Sequence, residues 1–348
     1  MSAFSRTALF LFAFLFLLAF DAAAWDRGKV ERFATLPAGA LNPEGIAIEP
    51  RSGDVYVTGF NPAGTGPAQI YVFDDDGRFK RTITVTGSSS ALLGLDFHPT
   101  THRLLVVDIG AGNVLDVNPI TGVATVFMPA TAGDGLNALT FDRAGNVYVS
   151  ASFTGRVYRT GPAGGPPVVW AEDPPLPAPQ TLKPSGFPPF GANGLQFNRD
   201  ESALFVANTA NDTIVRIPNN GGVAGTPAVF TNSVNGADGL FLDENDNIWV
   251  CANQSDEIVV VDKTGKAISK LGDFNGVKDG KPVGLLFPAS LVRRGDSIYI
   301  TNLSLDLRPV VGQQSVDSQW AAQVTRHTVS RIRARILGFK GGGDDDDD

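Results

Sequence analysis

The stretch Gly236–Asn253, GADGLFLDENDNIWVCAN, predicts two short strands joined by a polar turn. An acidic residue, Asp238, stands at the start of the first strand. The same pattern recurs in five other segments, which begin at Pro43, Leu92, Leu136, Ala192 and Pro288. Self-similarity with a period of roughly 40–50 residues and several short strands per repeat is typical of β-propeller blades.

Third and fourth strands follow the first pair in five of the repeats, and turns that contain glycine join many of them, as hairpins require. The sixth repeat has only three strands, the last predicted at Arg331–Ile336. The segment Val30–Leu36 resembles the fourth strands elsewhere and would complete this blade. Closing the ring in this way removes exposed sheet edges. We therefore predict an all-β fold, a six-bladed β-propeller of four-stranded blades, over residues 25–340.

Both ends of the chain differ from this pattern. Arg6, the apolar run Ala8–Phe20 and the small residues Ala22–Ala24 predict a secretory signal peptide over residues 1–24. The apolar run is shorter than the roughly 20 residues of a membrane-spanning helix. We expect a secreted or periplasmic protein that is not attached to a membrane after cleavage. The last residues, 341–348, read GGGDDDDD and predict a disordered acidic tail.

The composition narrows the function classes. The chain has 348 residues, 43% of them hydrophobic, which is enough for a large core. The net charge of −8 includes the five aspartates of the tail, and no basic patch suggests a nucleic-acid partner. The single cysteine, Cys251, excludes an internal disulfide, and its place within a strand predicts a small buried residue. We expect a monomer.

Asp238 has an equivalent residue in each of the other five repeats, and four of these six residues are polar. The six are, in chain order, Glu44, Leu93, Asn137, Asn193, Asp238 and Ala289. First strands line the channel of a propeller, so these side chains should converge on its axis. Carboxylate and carboxamide oxygens are ligands that suit Ca²⁺, while histidine or cysteine ligands for zinc or copper are missing. We predict a metal site of Glu44, Asn137, Asn193 and Asp238. The alternative is that they merely line a water-filled channel.

Two long loops belong to the face on which this ring opens. Ala171–Gly191 is rich in proline, and Leu303–Thr328 follows a second strand. Long loops on a compact fold are usually functional or disordered, and the prolines and aromatic residues favour an ordered roof over the channel. The three histidines, His98, His102 and His327, are predicted to lie at the surface rather than in the site.

Three short motifs open first strands: PEG at Pro43–Gly45, NG at Asn193–Gly194 and ADG at Ala237–Gly239. With them the chain resembles the SMP-30/gluconolactonase/LRE family, whose relatives include the paraoxonases and diisopropylfluorophosphatase. The resemblance spans about Val30–Ile336. It implies catalytic calcium in the channel of a six-bladed propeller that hydrolyses lactones or organophosphate-type esters. It also makes Glu44, Asn137, Asn193 and Asp238 the calcium ligands.

The chain departs from the paraoxonase branch at two positions. Leu93 stands where those enzymes have a histidine, so their histidine dyad is not implied. Gly45 stands where they have an acidic ligand of a second ion, so we expect one Ca²⁺.

Candidates for the catalytic base are two aspartates. The resemblance gives this role to Asp238. Asp108 ends the strand LLVVD, and the repeats align it with Thr58, Ser150, Ala207, Cys251 and Thr301. A lone carboxylate at such a position could face the channel, or it could cap the strand end. Asn208, Asn253 and Asn302 follow second strands and are either substrate contacts or turn residues.

The sequence therefore favours a calcium-dependent hydrolase of lactones or related esters, with a small-molecule lactone or ester as its substrate. Two other readings stay open. One is a non-catalytic propeller that binds a ligand or protein. The other is a metal-independent enzyme similar to the strictosidine synthases.

Overall fold

A computed structural model of the protein describes residues 27–131 and 133–336. The predicted signal peptide over 1–24 and the acidic tail over 341–348 lie outside the described residues. The chain forms its first strand, β1 (Glu31–Thr35), and then five blades in chain order, numbered here blades 1 to 5. The first three blades are β2 (Pro43–Ile48), β3 (Val55–Gly59), β4 (Gln69–Phe73) and β5 (Phe79–Thr84); β6 (Leu92–Phe97), β7 (Leu104–Asp108), β8 (Asn113–Val117) and β9 (Ala124–Met128); and β10 (Leu136–Phe141), β11 (Val147–Ala151), β12 (Arg156–Thr160) and β13 (Val168–Glu172).

The second half of the chain repeats the arrangement with one small addition. Blade 4 contains β14 (Ala192–Phe197), β15 (Ala203–Asn208), β16 (Thr213–Asn220) and β18 (Ala228–Asn232), with the short β17 (Val223–Ala224) beside β16. Blade 5 contains β19 (Ala237–Leu242), β20 (Ile248–Ala252), β21 (Glu257–Val261) and β22 (Ala267–Leu271). A separate hairpin, β23 (Phe274–Lys278) and β24 (Lys281–Gly284), then precedes β25 (Pro288–Arg294), β26 (Ser297–Asn302) and β27 (Thr328–Arg333).

The two ends of the described chain close the ring. β1 pairs antiparallel with β27, so blade 6 has the strand order β25, β26, β27, β1. The prediction of a six-bladed propeller whose N-terminal strand completes the last blade is confirmed. The third strand of blade 6 begins at Thr328 rather than at Arg331, so the predicted bounds were displaced toward the C-terminus. This closure gives β27 a partner strand and buries the facing sides of blades 6 and 1 against each other.

Hydrophobic packing between the blades holds the ring together. Six clusters of buried apolar side chains each join two neighbouring blades, and the six together run once around the ring. The central β7 and β20 are buried along their whole length, because a neighbouring blade covers each face of their sheets. Burial of apolar area in these six interfaces is the main stabilising contribution.

The described helices are short. α1 spans Arg308–Val311 and α2 spans Ser318–Ala321, both in the loop between β26 and β27. Over the described ranges, no helix has the length and apolar character needed to span a bilayer.

Candidate functional site

Four polar side chains from four blades meet in one buried cavity. Glu44 lies on β2, Asn137 on β10, Asn193 on β14 and Asp238 on β19, and each is only 4–5% exposed. All four line a cavity of about 50 Å³. The structure therefore brings together the four residues of the predicted metal site. The presence of an ion stays a prediction.

A β-bulge directs each of these side chains. The pairing of β2 with β3 runs from Pro43–Gly59 to Ile46–Val57, so Glu44 and Gly45 together oppose Thr58. The same shift occurs at the start of all six inner strands. Bulges bend a strand and re-aim its side chains, often next to active sites. The bulge therefore turns the residue at this position toward the axis.

Glycine follows the ligand position in most blades because the inner strands come very close together. A Cβ added at Gly45 would lie 2.4 Å from the carbonyl oxygen of Leu93, and one at Gly194 would lie 2.5 Å from that of Asp238. Only a residue without a side chain fits such an approach. The glycines of the PEG, NG and ADG motifs thus let the strands that carry Glu44, Asn193 and Asp238 approach their neighbours closely at the channel.

Hydroxyl groups fix the orientation of the two asparagines. Ser152 Oγ donates to the carbonyl oxygen of Ala192 at 2.7 Å, so it accepts from Asn137 Nδ2 at 3.1 Å. Thr209 Oγ1 likewise donates to a backbone carbonyl and accepts from Asn193 Nδ2 at 2.9 Å. Because a hydroxyl carries one proton, each amide must present its NH₂ group to the hydroxyl. The carbonyl oxygen of each amide is then held on the opposite side.

Three oxygens of this ring are buried without a hydrogen-bond partner. They are Oε2 of Glu44, Oδ1 of Asn137 and Oδ1 of Asp238. Buried polar atoms without partners are rare and cost free energy. An oxygen-seeking cation would satisfy all three, so the residues present fit Ca²⁺. Two of the four candidates are asparagines, and within the described chain no three His, Cys, Asp or Glu side chains form a cluster.

The electrostatics of the ring also favour a cation. Burial, and then the charge of Asp238, raise the pKa of Glu44 well above its usual value. Burial raises the pKa of Asp238 to about 7, although hydrogen bonds from Asn253 and Asn193 act in the opposite direction. No lysine, arginine or histidine is among the described residues that line the cavity. No positively charged side chain in the described cavity wall therefore balances the charge of two ionised carboxylates.

Asp108 lies outside this cavity. Its carboxylate accepts hydrogen bonds from the backbone of Ser89 and Ala111 and from the Ser89 hydroxyl, which makes it a strand-end cap. The register pairs Leu92 with Asp108 and Ala192 with Asn208, so these two residues share a repeat position. The alignment of Asp108 with Cys251 was wrong by one residue. Side chains alternate along a strand, so this displacement turns the carboxylate away from the channel.

Asn253 belongs to the site, unlike the two asparagines grouped with it. Its Nδ2 donates to Asp238 Oδ2 at 2.8 Å. Asn208 instead bonds the carbonyl of Thr181, and Asn302 accepts from the backbone of Leu286. Asn253 follows the end of β20, one repeat position later than the other two. Ser152 and Thr209 occupy the same later position in blades 3 and 4, which is a signal that the sequence already contained.

The histidines were partly misplaced. His98 is fully buried, with Nε2 2.9 Å from the carbonyl oxygen of Gly145, and His327 is 4% exposed, so the prediction of surface histidines was wrong for both. Neither lines the cavity. Cys251 is buried as predicted, and burial together with the nearby carboxylates raises the pKa of its thiol. A thiol held neutral in this way is a poor nucleophile.

Both long loops cover the ring, as the prediction of an ordered roof required. Pro188 and Phe190 of the first loop line the cavity. So do Leu303, Leu305 and Leu307 of the second. The cavity is therefore polar at its base and apolar above.

Comparison with known proteins agrees with this geometry. Residues 186–272 match the family model for the SMP-30/Gluconolactonase/LRE-like region. The chain carries an SMP-30/gluconolactonase/LRE-like region. The resemblance predicted from the sequence is thereby confirmed. The matched SMP-30/gluconolactonase/LRE-like region is roughly a quarter of the chain and includes Asn193 and Asp238, while Glu44 and Asn137 lie before it.

Solved structures show the same fold. A luciferin-regenerating enzyme is 15% identical, with a TM-score of 0.62 over 90% of this chain and 97% of the other. A gluconolactonase from Xanthomonas campestris is 15% identical, with a TM-score of 0.59 over 90% and 91%. The calcium-binding protein regucalcin from Agrobacterium tumefaciens strain C58 is also 15% identical, with a TM-score of 0.58 over 87% and 97%. No sequence among the curated proteins matches the chain.

Proposed function

We propose that this protein is a calcium-dependent hydrolase of lactones or related esters. The observation that carries the proposal is the set of three partnerless buried oxygens on Glu44, Asn137 and Asp238 within one cavity. Asn193 would complete the set of ligands for a single Ca²⁺. The matched region and the gluconolactonase among the structural relatives support a lactonase-type activity at the level of the family.

When bound, Ca²⁺ would supply positive charge that polarises the substrate carbonyl and stabilises a developing oxyanion. Asp238 is the proposed base. Asn253 holds Oδ2, and Oδ1 would face the ion; each carboxylate oxygen has two lone-pair sites, so Asp238 would keep one that can accept a proton from the attacking water. The water oxygen bonds to the carbonyl carbon, the ring C–O bond breaks, and the alkoxide takes up the proton. The product is a hydroxy acid.

The cellular setting belongs to the same proposal. We propose a secreted or periplasmic monomer that acts on a small-molecule lactone or ester. It would bind one ion, because Gly45 supplies no side-chain ligand for a second.

Binding without catalysis is the second candidate function. The cavity of about 50 Å³ beneath the roof is small, although it has room for an ion with bound water. A propeller that only stores or senses Ca²⁺ would need no larger space.

Calcium titration of chelator-treated protein separates these functions. Melting temperature and hydrolysis of a panel of lactones, aryl esters and phosphotriesters are followed in the same samples. Stabilisation together with calcium-dependent turnover supports the hydrolase. Stabilisation without turnover supports the binding protein. No response to calcium would overturn both and leave the metal-independent reading.

A further inference from the structure

The entrance to the cavity is divided into a polar and an apolar half. The residue that follows the second strand is Ser152, Thr209 or Asn253 in blades 3, 4 and 5. At the same position, blades 1, 2 and 6 have three large apolar residues, Phe60, Ile109 and Leu303. The two kinds of residue occupy adjacent blades. The division therefore separates one side of the channel from the other.

The apolar half continues upward into the roof. Phe60, Leu93, Phe287, Leu303, Leu305 and Leu307 pack into one cluster of buried side chains, here called the apolar wall. All six line the cavity. In blade 2 the ring position is held by an apolar residue, Leu93, and this side chain packs into the wall. The wall thus extends from the ring position to the underside of the 303–328 loop.

The polar half has little capacity left for substrate hydroxyl groups. Thr209 accepts from Asn193 and donates to a backbone carbonyl, and the amide of Asn253 is bound to Asp238. Oδ1 of Asn253 accepts from Gln254. The partnerless oxygens that remain are all acceptors of the ring. A polyhydroxylated ligand would lose its hydrogen bonds to water at the apolar wall without replacing them.

We propose that the apolar wall binds the hydrocarbon part of the substrate. The substrate is then a lactone or ester with an alkyl or aryl substituent, and a sugar lactone is excluded. Its carbonyl lies toward Asp238 and its hydrocarbon part lies over blades 6, 1 and 2. This inference rests on the proposed hydrolase function, which supplies the carbonyl. Leu303, Leu305 and Leu307 of the 303–328 loop line the cavity and would contact such a substituent.

Binding of lactams tests the wall without depending on turnover. δ-Lactams with no, ethyl, butyl or hexyl substituents, and a polyhydroxylated δ-lactam of the same ring size, are titrated into the full protein with Ca²⁺ by calorimetry. Affinity should rise about three- to fourfold for each buried methylene. The polyhydroxylated lactam should bind more weakly than the unsubstituted one. Affinity that does not depend on chain length, or preference for the polyhydroxylated ligand, overturns the proposal.

Two leucine variants locate the effect. Leu305→Asn places a polar group in the wall and should abolish the dependence on chain length. Leu176→Asn is the matched control, because Leu176 lies in the other roof loop and is 79% exposed. It should bind like the parent chain. If Leu305→Asn does not fold, Leu305→Ala should reduce the gain per methylene. An unchanged gain in a folded Leu305 variant overturns the assignment of the wall.

The corresponding lactones separate this inference from the proposed function. Alkyl lactams that bind while no lactone is hydrolysed support the wall and refute the hydrolase. Calcium-dependent hydrolysis of a sugar lactone without binding of alkyl lactams refutes the wall and leaves the hydrolase standing.

Discussion

Asn253 donates its side-chain amide to Oδ2 of Asp238 at 2.8 Å, while the other oxygen of that carboxylate has no partner. Asp238 lies on β19, Asn253 directly follows the adjacent strand β20, and both side chains are almost fully buried. A hydrogen bond to one oxygen stabilises the charged carboxylate and fixes the direction of the other. Asn253 is therefore a positioning residue for the proposed base and ligand.

Removal of this amide should weaken ion binding and turnover. Asn253→Ala leaves Oδ2 without its donor and raises the pKa of Asp238 further. Loss of such an outer partner typically costs about 10- to 100-fold in metal affinity. Calcium affinity is measured by calorimetry, and the pH profile of kcat should shift to higher pH. Asn245→Ala, at an exposed turn, is the control. Unchanged calcium affinity in folded Asn253→Ala would show that the amide has no positioning role.

Neutralising Glu44 should have opposite effects with and without calcium. In chelator-treated protein, Glu44→Gln removes a carboxyl group whose ionisation burial and Asp238 both disfavour, so the free energy of unfolding at neutral pH should rise. In the parent chain, calcium at 100 times its Kd should add about 2.7 kcal/mol, and the variant should lose most of this gain. Thermal unfolding with and without calcium measures both effects. A variant that calcium stabilises as much as the parent chain would exclude Glu44 as a ligand.

The fold was largely predictable because the repeated pattern of strands and turns is visible in the sequence. Alternating apolar residues and glycine turns recur in every blade, and the segment Val30–Leu36 matched the missing strand of blade 6. The ring of Glu44, Asn137, Asn193 and Asp238 followed from the same alignment. The separate hairpin Phe274–Lys278 and Lys281–Gly284 was missed because it occurs only once among the described strands, between blades 5 and 6, and therefore has no counterpart in the other repeats.

Details that depend on register or tertiary packing were not predictable in the same way. The bulge beside Glu44 cannot be recognised from the sequence of one strand alone. Asp108 was misaligned by one residue because the sequence does not show which residue pairs with it. The apolar wall joins Leu93 to Leu305, more than two hundred residues apart in the sequence. Such contacts arise from the conformation of a long loop, which local patterns do not determine.

The close approach of the inner strands predicts a sharp effect of a small substitution. Gly194→Ala would place a methyl group 2.5 Å from the carbonyl oxygen of Asp238, and the two strands would have to separate. Overpacking of this kind costs about 1–3 kcal/mol. Calcium affinity should fall as well, because Asn193 and Asp238 move apart. Gly161→Ala is the matched control, with no atom within 4 Å of the added methyl group. Equal denaturant midpoints for the two variants would contradict this account.

A second pair of acidic residues predicts how stability depends on pH. Burial, and then the charge of Asp317, raise the pKa of Asp256 to about 8. The unfolded chain loses this proton near pH 4, while the folded chain keeps it up to about pH 8. Stability therefore falls as pH rises across this interval, and the loss is complete above pH 8.

Asp256→Asn keeps an acceptor for the backbone N–H of Phe287, which Asp256 Oδ1 binds at 2.7 Å. The variant should gain about 1.4 kcal/mol over the parent chain for each pH unit across this interval, several kcal/mol in all by pH 9, and nothing at pH 4. The difference in unfolding free energy between the two proteins, measured by urea titration at several pH values, isolates this group from the other carboxylates. A difference that is constant with pH would mean that Asp256 titrates alike in the folded and unfolded chains.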